Sequence, residues 1–270
     1  MSDDNRKTPV QTPQDASLWA GLQKLTTARI GLRRAGASLA TVPLLEFKLA
    51  HALARDAVHE ALDEARLNAD LAPLGPPVIA ITSAAEDRPR YLMRPDLGRR
   101  LAAGADTVLA AHAGRYDLVF VVADGLSARA VQLHAQAILA RLLPALKAEA
   151  VKLAPLVIAR HGRVAIGDAI ATRLGADCVM VLIGERPGLT APDSMGAYLT
   201  WQPRPDTTDA ERNCISNIRP DGIGYDDAAF KVAHLLSAMR TRRVSGVQLK
   251  DDSDRALSGA AIEGRTGNSE

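Results

Sequence analysis

Apolar and polar positions along the chain alternate between two rhythms. "DLVFVVADG" (117–125), "APLVIARHG" (154–162) and "CVMVLIG" (178–184) are short, nearly continuous apolar runs that stop at glycine or a charge. Runs of this kind predict strands buried on both faces. "VIAITS" (78–83) and the run Ala197 to Trp201 read as further strands. Helical spacing fills the gaps. Ser127 suits the cap of a helix running to about Lys147, and "IGDAIATRLGA" (166–176) predicts a short helix ended by Gly175. Strand, helix, strand, helix, strand from 117 to 184 is the pattern of an α/β fold with parallel strands. A last helix is expected near Asp226–Arg240.

The N-terminal hundred residues read as helical. "TVPLLEFKLAHALARDAVHEALDEARL" (41–67) predicts one long helix, with Pro43 in its first turn and Leu45, Leu49 and Leu53 as one stripe. "RPDLGRRLAAGADTVLAAHA" (94–113) predicts another, opened by Pro95 with Asp96 in the first turn. Leu18, Trp19, Leu22 and Leu25 share helical spacing behind Asp15 or Ser17. They suggest a first helix packed on the body; a docking or encapsulation helix is the sharper alternative. The expected organisation is a disordered tail at 1–15, a helical region at 16–75, an α/β domain at 76–250 and a second tail at 251–270. The fold class is α/β: a mostly parallel, Rossmann-like sheet with helices on both faces, preceded by an N-terminal helical segment.

Composition narrows the classes. Of 270 residues, 47% are apolar and 3% aromatic, so the core is aliphatic. Thirty-three basic against 31 acidic residues give a net charge of +2, too balanced for a protein that lives on phosphate backbones. Arg33–Arg34, Arg99–Arg100 and Arg242–Arg243 then read as solvated, salt-bridged or interface residues. Cys178 and Cys214 sit in no CxxC or His-rich setting, so neither a zinc site nor a disulfide scaffold is expected. The N-terminal stretch has no apolar signal core, and no run of about 18 apolar residues exists to span a membrane. A soluble, cytoplasmic, reducing location is expected.

The candidate chemistry lies at strand ends. Ligands of open parallel sheets bind beyond the carboxyl ends of the strands. Three strands here end in Asp124-Gly125-Leu126-Ser127, Arg160-His161-Gly162-Arg163-Val164 and Gly184-Glu185-Arg186-Pro187-Gly188. Taken singly, each has a plain structural reading: Asp124 at a helix start, Glu185 paired with Arg186, glycines turning the backbone. Three such loops on one rim point to a ligand site. Glu185 offers a hydrogen-bond acceptor and Val164 an apolar wall. No Gly-x-Gly-x-x-Gly follows a strand, and no phosphate loop or nucleophile elbow exists. Cys214, in "ERNCISNIRP", reads as a small buried thiol. On residues alone the chain is an α/β protein that binds a polar-rimmed, partly apolar small molecule.

Five segments then occur in a telling order: "RYLMRPDLGRRL" (90–101), "DGLS" (124–127), "HGRVAIGD" (161–168), "VLIGERPGL" (181–189) and "RNCISNI" (212–218). Together they resemble the small subunit of ethanolamine ammonia-lyase over roughly residues 25–250. The resemblance implies an adenosylcobalamin-dependent lyase that converts ethanolamine to acetaldehyde and ammonia by a radical mechanism. It implies a catalytic large subunit as partner, with this chain closing over the cobalamin at their interface. It puts Val164, Glu185 and Cys214 on the cofactor, and assigns this chain no catalytic residue and no metal ligand. No Asp-x-His-x-x-Gly segment is present; "DAVHEA" (56–61) has the wrong spacing, so a base-on cofactor is expected. A location free in the cytoplasm or within a bacterial microcompartment fits equally. The alternatives are a nucleotide-binding α/β protein and a structural clamp that hardly touches cofactor.

Overall fold

The computed structural model describes residues 13–253; the expected disordered tails fall almost wholly outside the described residues. Helix α1 (Pro13–Gln23) opens the description, followed by a small hairpin of β1 (Arg34–Ala35) and β2 (Ser38–Leu39). Leu18, Trp19, Leu22 and Leu25 stay exposed. Helix α1 folds back on its own arm instead: Gln23 donates to the Ile30 carbonyl at 2.8 Å, and Trp19 lies where a Cβ on Gly31 would stand 2.5 Å away. The sequence expectation of a helix packed on the body therefore fails, because the arm supplies its own contacts.

The long helix expected at 41–67 is two helices, α2 (Thr41–His59) and α3 (Glu64–Leu71). Asp63 causes the restart, its carboxylate accepting from the Arg66 N–H at 3.0 Å as an N-cap. On α2 the Leu45, Leu49 and Leu53 stripe faces outward, 57%, 61% and 51% exposed; only Ala54 and Ala57 are buried. The helix expected at 94–113 is also broken, into α4 (Arg88–Met93), a 3-10 turn at 97–99 and α5 (Ala105–Ala110). Pro95 disfavours helical backbone at Arg94. Gly98 then packs so closely that a Cβ would stand 2.9 Å from Arg163 and 3.0 Å from Tyr91. Asp96 serves side chains, pairing with Arg94 at 2.8 Å and Arg100 at 2.6 Å.

The rest is the expected layered body. Strands β3 (Val78–Thr82), β4 (Tyr116–Ala123), β5 (Leu156–Arg160), β6 (Ala176–Gly184), β7 (Met195–Trp201) and β8 (Arg212–Ile218) form one sheet in the order β3-β5-β4-β6-β7-β8. The first four in that order run parallel; β7 and β8 are antiparallel. Strand β8 went unread in the sequence because its pairing with β7 shifts register between Met195 and Ala197, which spoils the period of two. Helices α6 (Ala128–Ala148) and α8 (Tyr225–Arg242) cover one face, packing on Phe120, Ile158, Met180 and Leu199. Helices α5 and α7 (Ile166–Leu174) cover the other, over Val121, Val157, Val179 and Val181. Gly175 ends α7 in the left-handed region at φ +76°. Helix α7 lies over β6 and meets β8 at Arg212 through Asp168. Among the described residues no helix lies over the upper part of β7 and β8 on that face, where Cys214 is exposed.

Candidate functional site

The carboxyl ends of β5, β4 and β6 are neighbours, so their three loops do share one rim. The rim has two halves of opposite character. Over β4 and β5, helix α4 seals the strand ends. Asp124 is 3% exposed. Its Oδ1 accepts from the Gly162 N–H at 3.2 Å, and its Oδ2 lies 3.7 Å from Arg88 Nη1. Burial pushes the Asp124 carboxyl above its usual range, while the His161 ring, Arg88 and two backbone N–H groups oppose that rise. His161 is left-handed at φ +53° and its ring meets the Ala85 carbonyl at 3.1 Å. Tyr91 donates to the Gly162 carbonyl at 3.2 Å, with the Arg163 guanidinium 4.2 Å from its ring centroid. One Asp124 oxygen is hydrogen-bonded and the other faces the Arg88 cation, so this buried half closes the rim.

Beyond β6 the rim is open. Strand β6 turns into β7 through Glu185, whose N–H donates to the Ser194 carbonyl at 3.0 Å. Ser127, the N-cap of α6, donates its hydroxyl to Pro192 at 3.1 Å and so anchors the loop. The Glu185 side chain lies half-buried across the top of β7. Its Oε2 accepts from the Asn217 N–H at 3.1 Å. Asn217 aims that N–H from a left-handed backbone at φ +59°. Oε1 has no hydrogen-bond partner among the described residues. It lies over Gly196, where a Cβ would stand only 3.0 Å from Oε1 and 3.2 Å from the Tyr198 ring. Glycine there leaves the hollow that the carboxylate occupies.

Tyr198 and Cys214 are direct cross-strand partners. Their side chains therefore share a face. Desolvation, the neighbouring Cys214 thiol and the Glu185 carboxylate hold the tyrosine hydroxyl well above its ordinary pKa. Cys214 is exposed as a residue, contrary to its reading as a small buried thiol. Desolvation of its sulfur against the sheet still raises its pKa, with Tyr198 opposing the rise and Glu185 adding to it. Val164, two residues before α7, is half-buried against the same apolar layer that Tyr198 joins. Lower down, Arg212 of β8 forks onto Asp168 of α7 at 2.7 Å through both nitrogens and reaches Thr200 at 3.2 Å. That buried pair fixes α7 to β8 and sets the floor beneath the open face.

Glu185 and Cys214 thus meet around Tyr198, with Val164 on the same face. Sequence reasoning missed Gly196, Tyr198 and Asn217. The alternation in "MGAYLTW" carried the signal for two of them, since Gly196 and Tyr198 fall on one side of the strand. An apolar hollow of about 850 Å³ lies at the amino ends of the strands, lined by Leu74, Leu143, Pro144 and Val151. Open parallel sheets bind ligands at the opposite end, so the strand-end face is the stronger candidate. Among the described residues no group of three or more metal-ligating side chains gathers, and no helix is long and apolar enough to cross a membrane.

The arrangement offers one fixed free acceptor, an aromatic ring, a thiol and an apolar wall on an uncovered sheet face. It can hold a large ligand with neutral donors and apolar surface. It contains no nucleophile with an adjacent base. Comparison with known proteins adds what geometry cannot. The profile of the family described as ethanolamine ammonia-lyase light chain (EutC) matches residues 16–250. A relative from Xanthomonas campestris pv. campestris (strain B100) is 54% identical over 256 residues, 93% of each chain. One from Bradyrhizobium diazoefficiens is 56% identical over 238 residues, covering 87% of this chain and 91% of its own. One from Azotobacter vinelandii is 51% identical over 255 residues, with coverages of 93% and 94%. All three are named ethanolamine ammonia-lyase small subunit.

Proposed function

The chain belongs to the ethanolamine ammonia-lyase light chain family, and from that premise we propose that it is the cobalamin-holding small subunit of an adenosylcobalamin-dependent ethanolamine ammonia-lyase. The observation that carries the reading is the half-satisfied Glu185 carboxylate beside Tyr198 and the exposed Cys214. Cobalamin is a large apolar ring fringed with amide and hydroxyl donors. A carboxylate oxygen held free accepts such donors, and bonds to a charged acceptor are the stronger kind. Gly196 leaves the space the carboxylate needs. The donor set therefore fits the group.

In this reading Glu185 Oε1 accepts from a ribose hydroxyl or corrin side-chain amide. Val164 and Cys214 fill shape against the cofactor, with Tyr198 between them. The sequence has no Asp-x-His-x-x-Gly segment to replace the cofactor's own base, so it binds base-on. When bound, adenosylcobalamin supplies the radical chemistry that turns ethanolamine into acetaldehyde and ammonia. This chain's residues bind, orient and exclude water; the substrate site belongs to a large subunit. The exposed stripe of Val42, Leu45, Leu49 and Leu53 on α2 supports such a partner, since contiguous exposed apolar surface marks interaction sites.

The test is reconstitution. This chain mixed with ethanolamine and adenosylcobalamin should release no acetaldehyde. Adding a family large subunit should restore release and shift the visible spectrum of the bound cofactor. Acetaldehyde from this chain alone, or a complex whose cofactor spectrum does not respond to this chain, would overturn the proposal.

A further inference from the structure

We propose that Arg88 is a positioning residue for the cofactor rim, a guanidinium through which helix α2 is tied to the three strand-end loops. The inference rests on the reading of that rim as a cobalamin site. Arg88 opens α4, where Asp87 caps the helix by accepting from the Arg90 N–H at 2.8 Å. Its side chain is only 13% exposed. Nε donates to the Val58 carbonyl at 2.7 Å, and Nη1 donates to the Gly125 carbonyl at 2.6 Å. Nη1 also lies 3.7 Å from Asp124 Oδ2. The guanidinium carbon sits 5.0 Å from the Tyr91 ring centroid, within range of a cation–π contact.

Each of these partners leads elsewhere. Val58 lies in the last turn of α2, where carbonyls lack an intrahelical donor. Arg88 satisfies that carbonyl. Helix α2 buries only Ala54 and Ala57, both near the same end, so Arg88 grips it where it meets the body. Asp124 accepts from Gly162 of the β5 loop. Gly125 is left-handed at φ +54°, and it presses so close to the β6 end that a Cβ there would stand 2.3 Å from the Gly184 carbonyl. That carbonyl accepts from the Leu126 N–H at 2.9 Å. Gly184 is the residue before Glu185. A continuous chain of bonds therefore runs from α2 through Arg88 to the backbone that aims the Glu185 carboxylate. Lysine cannot replace it, because one ammonium does not span two carbonyls and a ring face as a planar fork does.

The experiment uses the assembled two-subunit enzyme. Adenosylcobalamin affinity is read from the visible spectrum, the rate is measured at saturating cofactor, and Arg88→Lys and Glu185→Ala are compared with wild type. Arg88→Lys should weaken cofactor affinity about tenfold, the loss of one or two charge-assisted bonds' worth of positioning, with the saturated rate within about threefold. If Glu185→Ala weakens affinity and Arg88→Lys leaves it unchanged, the positioning role is overturned while the cobalamin reading stands. If both leave it unchanged, the reading of the rim itself falls. A fall in melting temperature for Arg88→Lys with unchanged affinity also overturns the proposal, since a merely structural role predicts that result. Should Arg88→Lys fail to assemble, the milder Asp124→Asn decides. It removes the charge facing Nη1, and an affinity loss of about threefold is expected; no loss overturns the role.

Discussion

Asp124 and Glu185 stand at equivalent places, each just beyond a buried parallel strand of one sheet, and their surroundings differ. Asp124 is covered by α4, and its carboxylate serves Gly162 and Arg88. Glu185 follows the last parallel strand, where the sheet turns antiparallel, and its side chain is half-buried. One oxygen is fixed by Asn217 and the other is left over. Both carry a carboxylate and both follow a strand end. In the proposed reading, what separates the structural carboxylate from the ligand-holding one is burial and a cation facing its second oxygen.

The largest effect expected from this contrast is on stability. Asp124→Ala leaves the Arg88 guanidinium and the Gly162 N–H without their partner in a buried setting. Breaking such a pair costs about 3 kcal/mol or more, because the charge left behind is uncompensated. Urea unfolding of the full chain checks this. A loss below about 1 kcal/mol would make the closed half no more than a surface feature.

Gly196→Ala sharpens the comparison from the open side. The added Cβ stands 3.0 Å from Glu185 Oε1, so the carboxylate must shift by a few tenths of an ångström. Affinity for adenosylcobalamin in the assembled enzyme should fall about fivefold, with stability changed by no more than about 1 kcal/mol. Unaltered affinity would mean that the carboxylate's placement does not matter.

The smallest effect is on thiol chemistry. Burial pushes the Cys178 thiol to about 12, so it should resist alkylation until the chain unfolds. Cys214 is exposed, yet its pKa is also raised. At pH 8 it holds less thiolate than a free cysteine and should alkylate slowly, with a rate that climbs as pH rises toward its pKa. Bound cobalamin should slow it further. Mass spectrometry of iodoacetamide-treated complex, with and without cofactor, reads all three. Faster alkylation of Cys214 in the presence of cofactor would count against its place on the site.

Much of the fold was legible because buried parallel strands are nearly continuous apolar runs. Strands β4, β5 and β6, the Ser127 cap and the Gly175 stop all followed from local pattern. The breaks at Asp63 and Gly98 did not, since each depends on a side chain or close approach that the helical period leaves unmarked. The outward stripe of α2 was visible as a stripe, but the pattern cannot say which side meets the body. At the site, Glu185 was reached from strand-end logic. Cys214 came only through resemblance, because its strand carries a register shift and a left-handed residue, Asn217, inside it. Tyr198 needed the antiparallel register, which no local signal in β8 supplied.

The most direct test of the central claim is Glu185→Ala in the assembled enzyme, with adenosylcobalamin affinity, saturated rate and unfolding measured together. The substitution opens no core cavity and removes one charged acceptor. The account predicts an affinity about tenfold weaker, worth about 1.4 kcal/mol, with unfolding stability and saturated rate nearly unchanged. An unchanged affinity would contradict it and leave Glu185, like Asp124, a part of the fold alone.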